Sequence, residues 1–218
     1  KNYTNRLINR ISSFFCFQRG VAILGPDGSG KSTLVKPLSK LEWPSVKKQY
    51  MGPSSKEDMK PFFFNLLNYF SKIRDKTSKT NPIGVSSRIM WVVICYFDFL
   101  DRYFRHNWHY GSKGLIIYDR FPCDMFFRTP TFINELFFLL FFPKPKFVFL
   151  CVGDSKTIYD RKKELHSAKE VEDTILLYRK KLNKYRINFQ EIDTVKTNIY
   201  MSNRIILKTL IENNFFTR

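Results

Sequence analysis

The chain has 218 residues, 44% of them hydrophobic, and carries 37 basic against 19 acidic residues for a net charge of +18. That length suits one α/β domain with a substantial core and is too short for two, while the apolar share excludes a disordered chain. The charge favours polyanionic partners (nucleotides, nucleic acid or anionic lipid), although the basic residues are spread along the chain rather than gathered in one block.

The 23 phenylalanines fall partly in runs, such as Phe62-Phe63-Phe64 and Phe137-Phe138. These suit a core or a protein interface, and the basic charge would also let them press on a membrane. The longest apolar run, 132–142, stops at Pro143-Lys144-Pro145-Lys146 and falls short of the ~20 apolar residues of a bilayer-spanning helix. Cys16, Cys95, Cys123 and Cys151 lie far apart with no C-x-x-C pair, as expected of a reduced, cytosolic protein. No secretory signal is visible; the chain opens with Lys1, and that end is set aside for targeting.

Within 1–18, residues 3–17 place Leu7, Ile8, Ile11, Phe14 and Phe15 at helical spacing, an amphipathic leading helix. Val21-Ala22-Ile23-Leu24 reads as a short buried strand entering a glycine-rich loop. A helix over 32–41 follows, closed by Trp43-Pro44. A second strand is expected at 46–50, and a turn-rich loop at 51–55. The next helix covers 61–74, with proline at its first position. Polar residues 75–82 form the candidate mobile loop, and a long helix covers 86–108. Leu115-Ile116-Ile117-Tyr118 is the third strand, ending at Asp119-Arg120. A helix at 131–141, a strand at 146–152, helices at 155–165 and 170–185, a strand at 187–192 and a helix at 202–212 complete the pattern. Five strands alternating with helices imply a parallel sheet covered on both faces, and no internal repeat is seen.

Gly25-x4-Gly30-Lys31-Ser32 matches the phosphate-loop pattern between a predicted strand and a predicted helix. Glycines (Gly25, Gly28, Gly30) let successive backbone N–H groups, including that of Ser29, turn inward toward phosphate oxygens. The helix adds the positive end of its dipole. Lys31 reaches the terminal phosphates, and the Ser32 hydroxyl suits Mg²⁺, which prefers hard oxygen ligands. Asp119-Arg120 should face this cradle, because ligands of open α/β sheets gather beyond the carboxyl ends of the strands. A carboxylate there can hold a metal-bound water, and an arginine can grip phosphate. Arg161, Lys162 and Lys163, in a lid region at about 153–170, can close over a triphosphate. His106 and His109 lie three apart on a predicted helix, but nothing completes a metal site around them, and His166 stands alone.

The cradle Gly25-Pro26-Asp27-Gly28-Ser29-Gly30-Lys31-Ser32-Thr33 resembles that of the thymidylate kinase family. So do Asp119-Arg120-Phe121 after a strand, the arginine-bearing helix that follows, and Ile192-Asp193-Thr194, similar to the family's late loop beside the adenine. The resemblance runs from Val21 to the C-terminus. It looks closest to a divergent branch found with bacterial surface-polysaccharide genes, through the D-R-[YF]-x-x-D pattern at Asp119-Arg120-Phe121-Pro122-Cys123-Asp124 and the R-K-x-E stretch at Arg161-Lys162-Lys163-Glu164.

The resemblance implies a single three-layer P-loop NTPase domain over 1–218 and transfer of the ATP γ-phosphate to a small monophosphate acceptor, with ATP and Mg²⁺ as cofactors. It implies Asp27 facing the acceptor's sugar hydroxyl, Arg120 its phosphate, Arg161 the migrating phosphoryl, and Arg102 and Asp124 as further acceptor contacts. Thr33 and Asp193 join the nucleotide site, and Ser32 and Asp119 the metal. Two places depart from the family. Its R-E-P-G reads Met51-Gly52-Pro53 here, and its S-x-x-A-Y-Q reads Asp124-Met125-Phe126-Phe127. The ATP half is intact and the acceptor half is rebuilt. A kinase of a sugar or lipid-linked intermediate, and a nucleotide-dependent protein holding nucleic acid or membrane, are the competing expectations. No nucleic-acid motif is present, so no specific nucleic acid is expected. Peripheral membrane contact and a homodimer stay open, in a cytoplasmic or membrane-associated protein.

Overall fold

The computed structural model describes residues 20–41, 46–52, 58–77, 81–110, 115–128, 144–162 and 167–215. Five strands form one sheet: β1 (Gly20–Leu24), β2 (Val46–Tyr50), β3 (Leu115–Asp119), β4 (Phe147–Val152) and β5 (Phe189–Asp193). Their order is β2-β3-β1-β4-β5 and every pairing is parallel. The helices are α1 (Lys31–Leu38), α2 (Pro61–Lys76), α3 (Pro82–Tyr110), α4 (Pro122–Arg128), α5 (Ser155–Arg161), α6 (Ala168–Lys184) and α7 (Ile199–Glu212).

Side chains alternate across a strand, and here the alternation sorts the core into two layers. Val21, Ile23, Leu115, Ile117, Phe147 and Phe149 pack with Leu34 and Val35 of α1 and Ile206 and Leu210 of α7. Their neighbours Ala22, Leu24, Ile116, Tyr118, Val148 and Leu150 face the other way, against α2, α3, α4 and α6. The expected α/β fold with a five-stranded parallel sheet between helical layers is therefore the observed one.

Several bounds differ from expectation. Helix α1 stops at Leu38, near Pro37, which donates no backbone bond; Lys40 N and Leu41 N turn back to Pro37 O and Leu38 O instead. Helix α2 runs on through Asp75 and Lys76, and α3 starts at Pro82, so both helices take residues from the expected loop. Helix α4 was not expected; Pro122 at its first position and Asp124 in its first turn are its signals. The expected helices at 3–17 and 131–141, the stop at Trp43-Pro44, and His166 fall outside the described residues.

The expected apolar run at 132–142 falls outside the described residues. Residues 82–107 of α3 are long and apolar enough to cross a bilayer. Yet α3 buries Cys95, Phe99 and Tyr103 in the core, together with an Asp98–Arg102 ion pair. It is a core helix on that side.

Candidate active site

Strand β1 ends at Leu24, in the middle of the sheet, and delivers the chain into the glycine loop at the carboxyl edge. At Gly25, with φ of 148°, a Cβ would come within 2.7 Å of the Cys151 carbonyl oxygen and of Ser29 Oγ. At Gly28, with φ of 82°, it would come within 2.7 Å of the Ile158 carbonyl oxygen. Neither position admits a side chain without moving backbone, so both glycines are required by the loop's path.

Lys31 curls over that loop. Its Nζ donates to Gly25 O at 2.8 Å and Pro26 O at 2.6 Å, and lies 3.8 Å from Asp27 Oδ1. Burial, aided by the Arg120 charge and opposed by Asp27 and Asp124, lowers its pKa below the ordinary lysine value. Ser32, one residue on, donates from Oγ to Asp119 Oδ2 at 2.9 Å. Asp119 ends β3 beside β1, opposite Ile23, and its side chain is 2% exposed. Its other oxygen, Oδ1, is buried with no hydrogen-bond partner among the described residues.

A carboxylate with one oxygen on a serine hydroxyl and the other unbonded among the described residues is a donor set that suits a hard cation. Magnesium keeps waters and phosphate oxygens for its remaining positions. Ser32 and Asp119 therefore fit magnesium. No group of three metal-ligating side chains exists among the described residues, as such a phosphate-shared site requires none. His106, partly buried, has Nε2 without a hydrogen-bond partner among the described residues, and burial lowers its pKa.

Arg120 leaves the sheet in the left-handed region, with φ of 65°. Its N–H bonds Ile23 O at 3.3 Å and its guanidinium bridges two carboxylates: Nη1 donates to Asp124 Oδ2 at 2.9 Å and Nη2 to Asp27 Oδ1. Tyr178 of α6, fully buried, donates its hydroxyl to the second oxygen of Asp124. A chain of charged bonds thus runs from the glycine loop through Arg120 to α6.

Arg120 divides two cavities. One, of about 690 Å³, spreads over the glycine loop and reaches Lys31, Ser32, Thr33, Arg161 and Thr194. The other, of about 280 Å³, is walled by Trp91, Phe99 and Phe121, with Arg74, Arg120 and Asp124 as its charged groups. The Arg74 guanidinium carbon stands 5.1 Å over the Trp91 ring.

No protein-family profile and no curated protein matches the chain. Solved structures do. A thymidylate kinase from Candida albicans superposes with a TM-score of 0.63 at 16% identity, over 90% of this chain and 92% of that one. A deoxyadenosine kinase from M. mycoides with bound dATP gives 0.51 at 18% identity, over 88% and 99%. The same enzyme with bound dCTP gives 0.53 at 16% identity over the same shares.

The chain has the thymidylate kinase-like P-loop kinase fold.

Within this kinase fold the expected site residues divide. Asp27, Gly28, Gly30, Lys31, Ser32 and Thr33 border the larger cavity, with Gly25 and the buried Ser29 shaping the loop behind it. Arg120 faces both cavities, and Asp124 the smaller one. Arg161, the last residue of α5, reaches the larger cavity and makes no ion pair with a described residue.

Two of the expected site residues border neither cavity. Arg102 is wholly buried, paired with Asp98 and donating to Tyr50 O at 3.3 Å and Gly52 O at 3.1 Å. With those partners it braces the exit of β2 and presents no surface to an acceptor. Asp193 uses Oδ1 to accept from Val195 N at 3.0 Å and Lys196 N at 2.9 Å, and borders a separate groove with Arg179 and Glu191. The late loop reaches the larger cavity through Thr194 and Thr197 instead. Sequence reasoning also passed over Lys48, Tyr50, Arg74, Trp91 and Tyr178. Only the alternation of β2, which puts Lys48 and Tyr50 on one side, was there to be read.

Proposed function

We propose that the protein is an ATP-dependent phosphotransferase of the nucleotide kinase type, passing a terminal phosphoryl group to a small acceptor. The observation that carries this reading is the trio at the start of α1 and the end of β3: Lys31 over the glycine loop, Ser32 beside it, and Asp119 with one buried oxygen unbonded among the described residues. The loop amides and the N-terminus of α1 hold the β- and γ-phosphates, and Lys31 neutralises charge as it shifts. Ser32 and Asp119 would hold magnesium, which when bound screens the phosphate oxygens. Arg161 approaches the migrating group from α5. The bond between the γ-phosphorus and its bridging oxygen breaks as a bond to an acceptor oxygen forms, leaving the diphosphate.

For the acceptor we favour a nucleoside monophosphate. The small cavity is lined by the rings of Trp91, Phe99 and Phe121, with Arg74 and Arg120 among its walls, and Arg120 also borders the phosphate cavity. Aromatic walls suit a stacked base, and an arginine at the junction suits a phosphate. The structural neighbours are kinases of deoxyadenosine and of thymidylate by name, which supports a base-bearing acceptor of either kind. A panel of nucleosides, nucleoside monophosphates and sugar phosphates incubated with Mg-ATP tests the reading by ADP release. Turnover with a base-bearing monophosphate is expected. Turnover confined to sugars would move the protein to the surface-polysaccharide reading.

A further inference from the structure

Lys48 lies in β2 on the same side as Val46 and Tyr50. Its ammonium is 3.0 Å from Asp119 Oδ2, the oxygen that also accepts from Ser32 at 2.9 Å. The carboxylate is 2% exposed and the lysine side chain 36%, so a fixed buried anion meets a long cation with room to move. The phosphate-loop pattern already supplies a lysine, and that one does not serve Asp119. Lys31 is held by the carbonyls of Gly25 and Pro26 and lies nearest Asp27. Among the described residues, Lys48 is the ion-pair partner of Asp119.

We propose that Lys48 is a tethered counter-ion that makes Asp119 a poor ligand for a free divalent cation and a good one for a metal carried in on a nucleoside triphosphate. The inference rests on the phosphotransferase reading. The ammonium already neutralises the carboxylate at the oxygen beside Ser32. A divalent cation held by Ser32 and Asp119 must push it away, since like charges at such separations repel strongly with little water between them. A bare cation offers the displaced ammonium no new partner. A metal–triphosphate complex arrives with net negative charge, and its phosphate oxygens accept the ammonium. Ser32 borders the phosphate cavity and shares Asp119 Oδ2 with the Lys48 ammonium, so the tip of Lys48 reaches the edge of the space those oxygens would fill. The lysine thereby selects the metal–nucleotide complex over the metal alone.

Two titrations test this without any assay of turnover. Mn²⁺, followed by electron paramagnetic resonance, reports free-metal binding to the nucleotide-free protein. Calorimetry with a non-hydrolysable Mg-ATP analogue reports the complex. Lys48→Met should tighten free Mn²⁺ by about tenfold, the scale of one relieved repulsion near a protein surface. The same variant should weaken the Mg-ATP analogue several-fold. Asp119→Asn should weaken both. Lys48→Arg, which keeps the charge, should stay within about twofold of the parent. Circular dichroism checks that each variant is folded, and Lys48→Gln replaces the methionine variant if that one is not. Free Mn²⁺ binding that is unchanged or weaker in the folded neutral variant overturns the inference. Absence of analogue binding in the parent would instead overturn the kinase reading, and the Mn²⁺ arm would still decide the role of Lys48.

Discussion

Arg120 is approached from two sides by structures built in opposite ways. On one side, residues 25–32 present mainly backbone, bent by two glycines whose missing side chains are filled by the Cys151 and Ile158 carbonyls. On the other, α2 and α3 present side chains, Arg74, Trp91 and Phe99, around a small cavity. A triphosphate looks the same in every kinase, so a backbone cradle can serve it in one fixed form. An acceptor is particular, and a wall of side chains can be replaced residue by residue without disturbing the sheet. The chain shares the fold of its structural neighbours at only 16–18% identity, and on the proposed reading the side-chain wall is where an acceptor would be chosen.

The largest effect expected on this contrast comes from behind the smaller cavity. Arg102→Leu should lower unfolding free energy by about 3–5 kcal/mol, the usual cost of stranding one partner of a buried pair. Burial already raises the Asp98 carboxyl above its ordinary pKa, with Arg102 opposing. Without Arg102 the carboxyl would rise further, so the variant's deficit should shrink as pH falls and Asp98 takes up its proton. Denaturant melts at two pH values measure this. A variant of parental stability with a raised acceptor KM would return Arg102 to the role of an acceptor contact.

Next comes the cradle. Gly28→Ala should weaken Mg-nucleotide binding by about 1–3 kcal/mol, because a left-handed residue must also clear the Ile158 carbonyl. Acceptor KM, measured at saturating nucleotide, should change little. Trp91→Ala should do the reverse: the acceptor KM rises about tenfold with loss of a stacking wall, and nucleotide Kd holds. If both variants shift both constants, the two sides are not separable and the contrast fails.

The smallest effect is in pH. The charged form of Lys31 is disfavoured in the nucleotide-free fold by burial and Arg120, and a bound triphosphate favours it. Binding therefore takes up a proton once pH exceeds the lowered pKa. Nucleotide affinity should be flat below that point and fall at most about tenfold per pH unit above it. The same shift should make the nucleotide-free fold more stable as pH rises from the lowered value toward that of an ordinary lysine. Lys31→Met should abolish both trends.

Much of the fold was legible because strands buried on two faces announce themselves as short apolar runs. Val21–Leu24, Leu115–Tyr118 and 146–152 could be read directly, and so could the loop between β1 and α1. Asp119 was legible because a charge that ends such a run stands at the carboxyl edge of the sheet, where a buried carboxylate needs a partner. Helix α4 was hidden because it is one short stretch of mixed residues following Arg120. Of the partners of Arg102, Asp98 sits one helical turn earlier and could have been read, while Tyr50 and Gly52 come from the distant end of β2 and could not. Asp193 misled because a carboxylate at a strand end can as well cap the turn that follows as face a ligand. Lys48 and Trp91 acquire meaning only through tertiary neighbours, Asp119 in one case and Arg74 in the other.

Calorimetric titration of the protein with a Mg-bound, non-hydrolysable ATP analogue, beside the Lys31→Ala variant, reaches the centre of the account. One saturable site is predicted in the parent, with binding weakened by about tenfold or more in the variant as a charge-assisted contact to phosphate is lost. No measurable binding by the folded parent, or equal binding by both proteins, would contradict it.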